Sequence, residues 1–161
     1  MNVITTMSEE QTQAVARELA ATLTRGDVVA LTGDLGTGKT RFVRGVCSAF
    51  GIESVSSPTF VLLNRYTGAD ASGAELLVYH LDLYRISSLT EIYDLGYEEV
   101  IGGDGICLIE WAEVLDGLLP PRRYDVHLEY GERETERTIR IDCVSAPNKS
   151  GESAVQGNRT A

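Results

Sequence analysis

Short apolar runs that alternate with helix-forming segments, a GxxxxGK[ST] turn between one such run and the next helix, and a closing pair of alternating segments predict an α/β fold. The expected architecture is P-loop NTPase-like: three layers around a mainly parallel central sheet, with flanking antiparallel strands and a C-terminal hairpin.

The elements follow in order along the 161 residues. Ser8-Glu-Glu-Gln11 has the capping-box pattern, and Val15, Leu19 and Leu23 recur at helical spacing after it, so a first amphipathic helix is predicted. Asp27–Thr32 (DVVALT) reads as a short buried strand. A glycine-rich turn precedes a helix expected from about Lys39 to Phe50, with Gly51 as its C-terminal cap. Phe60–Tyr66 and Glu75–Leu81 read as strands around a polar loop at 67–74. Ser88–Leu95 suits a short helix. Ile106–Ile109 is continuously apolar, the mark of a strand covered on both faces. Tyr124–Tyr130 and Thr135–Asp142 flank Gly131-Glu-Arg-Glu134 and predict an antiparallel hairpin at the sheet edge.

One domain is expected over residues 1–144. The segment 145–161 is rich in Ser, Gly, Asn and Ala, with Val155 as its sole large apolar side chain, and is expected to be a disordered tail. Cys47, Cys107 and Cys143 form no metal spacing and read as buried small apolar residues in a reducing cytosol. No window approaches the roughly 18 apolar residues of a membrane span, and a cytoplasmic protein is expected.

The formal net charge is −10, and it is concentrated: residues 91–136 hold thirteen acids and three bases. That balance excludes a protein that coats nucleic acid through its own basic surface, since phosphate neutralisation needs clustered Lys and Arg.

Gly33-Asp-Leu-Gly-Thr-Gly-Lys39-Thr40 carries the most information. It follows a strand and opens a helix, the context in which backbone N–H groups and a helix N-terminus hold phosphate oxygens. Leu35, Gly36, Thr37, Gly38, Lys39, Thr40 and Arg41 are the expected nucleotide-binding residues. Lys39 is predicted to reach the β- and γ-phosphates and the Thr40 hydroxyl to ligate Mg²⁺. Only two lysines occur, Lys39 and Lys149, so one of them falls at the position the motif requires. No NKxD-type guanine element is present, which favours ATP over GTP.

Such enzymes hold Mg²⁺ partly through an acid at the end of a buried strand, and Glu110 ends Ile106-Cys-Leu-Ile. The competing reading is a charge that merely closes a strand. Trp111, the single tryptophan, either packs the core or offers a flat surface to nucleotide or partner. In Tyr79-His-Leu-Asp82-Leu-Tyr84-Arg85, alternation puts His80, Asp82 and Tyr84 on one face. Asp82 is a candidate for orienting the attacking water or a metal-bound water, or else a structural partner of Arg85 or a backbone amide. His80 reads as structural. Ser56-Ser-Pro-Thr59-Phe60 occupies the position of a nucleotide-sensing segment, with Thr59 as its hydroxyl, or is a plain strand-entry turn.

In combination, LTGDLGTGKT (31–40), SSPTF (56–60), HLDLYR (80–85) and IEWAE (109–113) resemble the TsaE family of bacterial P-loop ATPases, over roughly residues 8–142. The resemblance implies an ATP- and Mg²⁺-dependent ATPase, weak alone and stimulated by partners. It implies work with TsaD and TsaB in threonylcarbamoyl transfer to adenosine 37 of tRNAs that read codons beginning with A, with tRNA met through the complex. By motif position, Lys39, Asp82 and Glu110 take catalytic roles, Thr40 and Glu110 the metal, and Thr59 and Trp111 switch or partner roles. Thr37 and Arg41 depart from the family's more common Ala and Thr. The start of the first helix, around Glu10–Thr12, is a candidate adenine contact, and Arg137 a candidate for phosphate or partner contact. A small-molecule kinase is the alternative class. It needs a mobile, arginine-bearing lid, and residues 86–121 contain no arginine. A third class, a nucleotide-gated binding module with negligible turnover, overlaps the first.

Overall fold

The computed structural model describes residues 2–57 and 62–145. Strand β1 (Asn2–Thr6) leads into helix α1 (Glu9–Ala20). Ser8 caps that helix by accepting the Gln11 N–H at 3.2 Å, and the Gln11 side chain returns to the Met7 N–H at 2.7 Å. The capping box is therefore present, shifted by one donor. Strand β2 (Val28–Thr32) then runs through the interior and delivers the chain to the glycine-rich turn and helix α2 (Lys39–Ala49). Strands β3 (Leu63–Ala69) and β4 (Glu75–Asp82) form a hairpin. Two short helices, α3 (Leu89–Asp94) and α4 (Tyr97–Ile101), precede strand β5 (Ile106–Glu110). A turn of 3-10 helix (Ala112–Leu115) leads to β6 (Arg123–Tyr130) and β7 (Arg137–Val144).

All seven strands join one mixed sheet in the order β1-β7-β6-β2-β5-β4-β3. The central four, β6, β2, β5 and β4, pair in parallel, and the flanking pairs are antiparallel. Alternation sorts the side chains of the central strands. Val29, Leu31, Val78, Ile106 and Leu108 face the core under α1 and α2. Val28, Ala30, Leu81, Cys107 and Ile109 face a second core with Ile92, Tyr97, Val100 and Leu115 from the short helices. The result is three layers, with the turn after β2 at the carboxyl end of a central strand, where open α/β sheets bind ligands.

Four points need correction. Cys143, near the end of β7, is exposed, whereas Cys47 and Cys107 are buried as expected. The C-terminal hairpin is not the sheet edge: β1 pairs with β7 and covers it. β1 itself was not expected, because most of its residues are exposed and only Ile4 and Thr6 turn toward the core, while its ladder with β7 fixes it. The loop between β3 and β4 is shorter than 67–74, as β3 continues to Ala69 and pairs it with Glu75. Thr59 and the expected tail beyond residue 145 lie outside the described residues. No helix among the described residues is long and apolar enough to cross a membrane.

Candidate nucleotide site

A cavity of about 830 Å³ opens at the carboxyl end of the central strands. Its walls come from the β2–α2 turn, the start of α1, the ends of β4 and β5, and the β6–β7 turn. Every described residue named from sequence for nucleotide, metal, catalysis or partner contact lines it, from Glu10 and Thr12 to Arg137. Leu62, Glu134 and Thr135, which the sequence reading gave no site role, line it too, as do Ser8 and Glu9 of the capping box and Ser57 of the 56–60 segment. No local pattern marks Leu62, Glu134 or Thr135; chain topology brings them in.

The glycine turn has little freedom in its composition. A Cβ on Gly33 would stand 2.2 Å from the Leu128 carbonyl oxygen, and Gly33 has φ of +131°. Any side chain there would push β6 away. Thr37 is buried, and its Oγ1 donates to the Asp34 carbonyl at 2.9 Å. This hydroxyl, at a position where the resemblance leads one to expect Ala, closes the turn. Helix α2 begins without a side-chain cap. Among the described residues no acceptor takes the N–H of Gly36, Gly38, Lys39 or Thr40, and these are the donors a phosphate would satisfy.

Lys39 is buried, with 4% of its surface exposed. Its Nζ donates to the carbonyls of Gly33 at 2.6 Å and Asp34 at 2.8 Å, and lies 4.0 Å from the centre of the Trp111 ring. Desolvation lowers its pKa, against the pull of Glu110, Glu113, Asp82 and Asp34 in the other direction. Trp111 is the only non-glycine described residue at positive φ, +58°. That backbone turns the indole off the end of β5 to meet both Lys39 and the Tyr84 ring, whose centre is 4.9 Å away. Backbone strain of this kind gathers at functional sites.

Parity along the sheet aims the acids. Ile106 and Leu108 face α2, so Glu110 does as well, and the Thr40 hydroxyl donates to its two carboxylate oxygens at 2.9 and 3.1 Å. His80 is fully buried, and its Nε2 donates to the same carboxylate at 2.9 Å. The structural reading of His80 thus gains a specific content: it holds Glu110 in position. Asp82 is the register partner of Glu110 on the neighbouring strand. Burial raises its pKa, with Glu110 adding to the effect, while the Tyr84 N–H it accepts at 3.1 Å opposes it.

Two sequence candidates act differently from their simplest reading. The Thr12 hydroxyl is engaged with Thr6 Oγ1 at 2.9 Å, so Thr12 forms wall rather than a free hydroxyl. Arg137 donates to the carbonyls of Thr37 and Gly36 at 3.1 and 3.4 Å, so it holds the turn from behind. Arg41 pairs with Glu9 at 3.1 Å across the cavity mouth.

Among the described residues no cluster of His, Cys, Asp and Glu forms a protein cage for a metal ion. The Thr40 hydroxyl and the Glu110 carboxylate are nonetheless a hard oxygen donor set, of the kind that suits Mg²⁺, which takes few protein ligands beside substrate phosphates.

Comparison with known proteins agrees with this geometry. A family model described as "Threonylcarbamoyl adenosine biosynthesis protein TsaE" matches residues 6–139. The tRNA threonylcarbamoyladenosine biosynthesis protein TsaE of Rickettsia conorii is 45% identical over 124 residues, covering 76% of this chain and 67% of that protein. Its namesake from Bacillus subtilis is 39% identical over 136 residues, covering 83% and 82%. The crystal structure of Bacillus subtilis YdiB superposes with a TM-score of 0.71 at 33% identity, covering 89% of this chain and 86% of that one. With the motif, the sheet topology and these matches in agreement, the chain belongs to the TsaE family of threonylcarbamoyladenosine biosynthesis proteins.

Proposed function

We propose that this chain is the ATP-binding, Mg²⁺-dependent ATPase of a tRNA-modifying assembly. Its hydrolysis supports threonylcarbamoyl transfer, by TsaD with TsaB, to adenosine 37 of tRNAs reading codons that begin with A. The observation that carries the reading is the contact of Thr40 with Glu110, 70 residues apart in sequence and 2.9 Å apart in space, directly beside Lys39. Three side chains needed to bind phosphate and metal meet in one cavity, on the face of the sheet that carries α2.

Each group has work suited to its chemistry. The N–H groups of Gly36, Gly38, Lys39 and Thr40 are free to receive phosphate oxygens. The Lys39 ammonium rests on two carbonyls and a ring, ready to exchange them for a phosphate carrying full negative charge. Thr40 and Glu110 would hold Mg²⁺, which supplies charge neutralisation to the phosphates when bound. Asp82, half-buried with a raised pKa, is a better proton acceptor than an ordinary carboxylate and faces the cavity, where it can orient water.

The deciding measurement is phosphate release from ATP with and without TsaD, TsaB and tRNA. Stimulation by those components is expected. Turnover that ignores them and requires a small-molecule acceptor would identify a kinase instead. In the same assay Lys39→Ala should lose nucleotide binding. Asp82→Asn and Glu110→Gln should each lower turnover by about 100-fold or more while retaining most ATP affinity.

A further inference from the structure

The carbonyls of the phosphate turn are engaged, whereas its N–H groups at Gly36, Gly38, Lys39 and Thr40 are free. Lys39 takes those of Gly33 and Asp34. The next three are taken from outside the motif, by two residues at the ends of the β6–β7 turn. The Tyr130 hydroxyl donates to the Leu35 carbonyl. Arg137 donates from Nε to the Thr37 carbonyl at 3.1 Å and from Nη2 to that of Gly36 at 3.4 Å. Its Nη1 is fixed by the carbonyls of Glu134 and Glu136 at 2.7 and 2.8 Å. The guanidinium lies 4.6 Å from the centre of the Tyr130 ring, so the two side chains brace each other. Gly36 is pressed into the same arrangement, since a Cβ there would stand 2.6 Å from the Tyr130 oxygen.

Peptide geometry converts these contacts into a consequence for the ligand. All described peptide bonds are trans, and in a trans peptide the carbonyl and the following N–H point in opposite directions. Pulling the Leu35 carbonyl toward Tyr130 turns the Gly36 N–H away from the hairpin. Holding the Thr37 carbonyl on Arg137 does the same for the Gly38 N–H. Without those anchors, glycines on both sides of Thr37 would let these peptide planes rotate at little cost.

We propose that Tyr130 and Arg137 are positioning residues for phosphate binding: held from behind by this pair, the turn keeps its N–H groups aimed at the nucleotide. The proposal rests on the nucleotide-binding reading above, and its test separates the two. Calorimetric titration of the full-length protein with ADP is compared for the parent, Tyr130→Phe, Arg137→Lys and Arg137→Ala. Tyr130→Phe keeps the ring and removes one donor. Arg137→Lys keeps the charge but cannot span two carbonyls. Each of the three variants should bind ADP about tenfold more weakly, the equivalent of one lost net hydrogen bond. Tyr130 is half exposed, so the ligand-free melting temperature of Tyr130→Phe should stay within about 2 °C of the parent.

Parent-like ADP affinity in Tyr130→Phe and Arg137→Lys would overturn the proposal. So would full rescue by Arg137→Lys of a loss seen in Arg137→Ala, because charge rather than carbonyl anchoring would then be at work. An affinity loss matched by an equal loss of ligand-free stability would mean a merely structural hairpin. A parent that fails to bind ADP would remove the nucleotide reading itself, and this proposal with it.

Discussion

Asp82 and Glu110 stand side by side on adjacent parallel strands, and the cost of that placement is measurable. Burial, then Glu110, raises the Asp82 pKa above its ordinary 3.8. The folded chain therefore binds this proton more readily than the unfolded chain does. Stability owed to the group is fully present below pH 3.8 and lost as pH rises through the higher folded value. Asp82→Asn keeps an oxygen to accept the Tyr84 N–H and removes the ionisation. Its melting temperature should exceed the parent's at pH 7, and the difference should shrink toward zero near pH 3.5. A variant less stable than the parent at pH 7 would mean that Asp82 is a net stabilising partner, the reading that alternation alone left open. Glu110 is treated differently by the fold. Its carboxylate is buried yet receives hydrogen bonds from Thr40 and His80, which compensate its removal from water.

At the scale of elements, the packing of α1 on α2 fixes where the phosphate turn can stand. Gly45 is the point of closest approach: a methyl there would be 2.6 Å from both the Ala16 Cβ and the Gln13 carbonyl oxygen. Helix propensity favours Gly45→Ala by about 1 kcal/mol, whereas forced overpacking costs about 1–3 kcal/mol. Packing should win, with a melting temperature lower by several degrees in a thermal scan and weaker ADP binding, because the displaced helix carries Lys39 and Thr40 at its start. A rise in melting temperature would show that α1 yields freely.

The same scale explains what the sequence could and could not reveal. β2, the glycine turn, α2 and β5 were legible because each carries its own signal, an apolar run or a motif. α1 was legible through its capping box. β1 was not, since only Ile4 and Thr6 of Asn2–Thr6 turn inward, too few for alternation to register, and the strand is held by β7 from more than 130 residues away. α4 and the turn after Trp111 span only five and four residues, too short for periodicity to register. The acids of the site could be named from strand ends. Tyr130 could not, because its tie to Leu35 joins residues 95 apart and exists only once β6 lies beside β2.

For the whole molecule the charge is decisive. The net −10 is concentrated in residues 91–136, and four of the bases, Lys39, Arg41, Arg85 and Arg137, line the cavity. The isolated chain should therefore show no tight tRNA binding in an electrophoretic mobility assay at physiological salt. A strong shift that weakens steeply as salt rises would mean that this protein grips tRNA itself. Expected instead is recruitment to tRNA through protein contacts.

The scarcity of lysine gives the fold one more consequence. Among the described residues Lys39 is the only lysine, and it is enclosed, with its basicity depressed. Among the described residues, an amine-acylating reagent small enough to enter meets one lysine, at the glycine turn. Whatever fills that turn shields Lys39, so acylation at this one position, read apart from Lys149, is a footprint of the turn's occupancy.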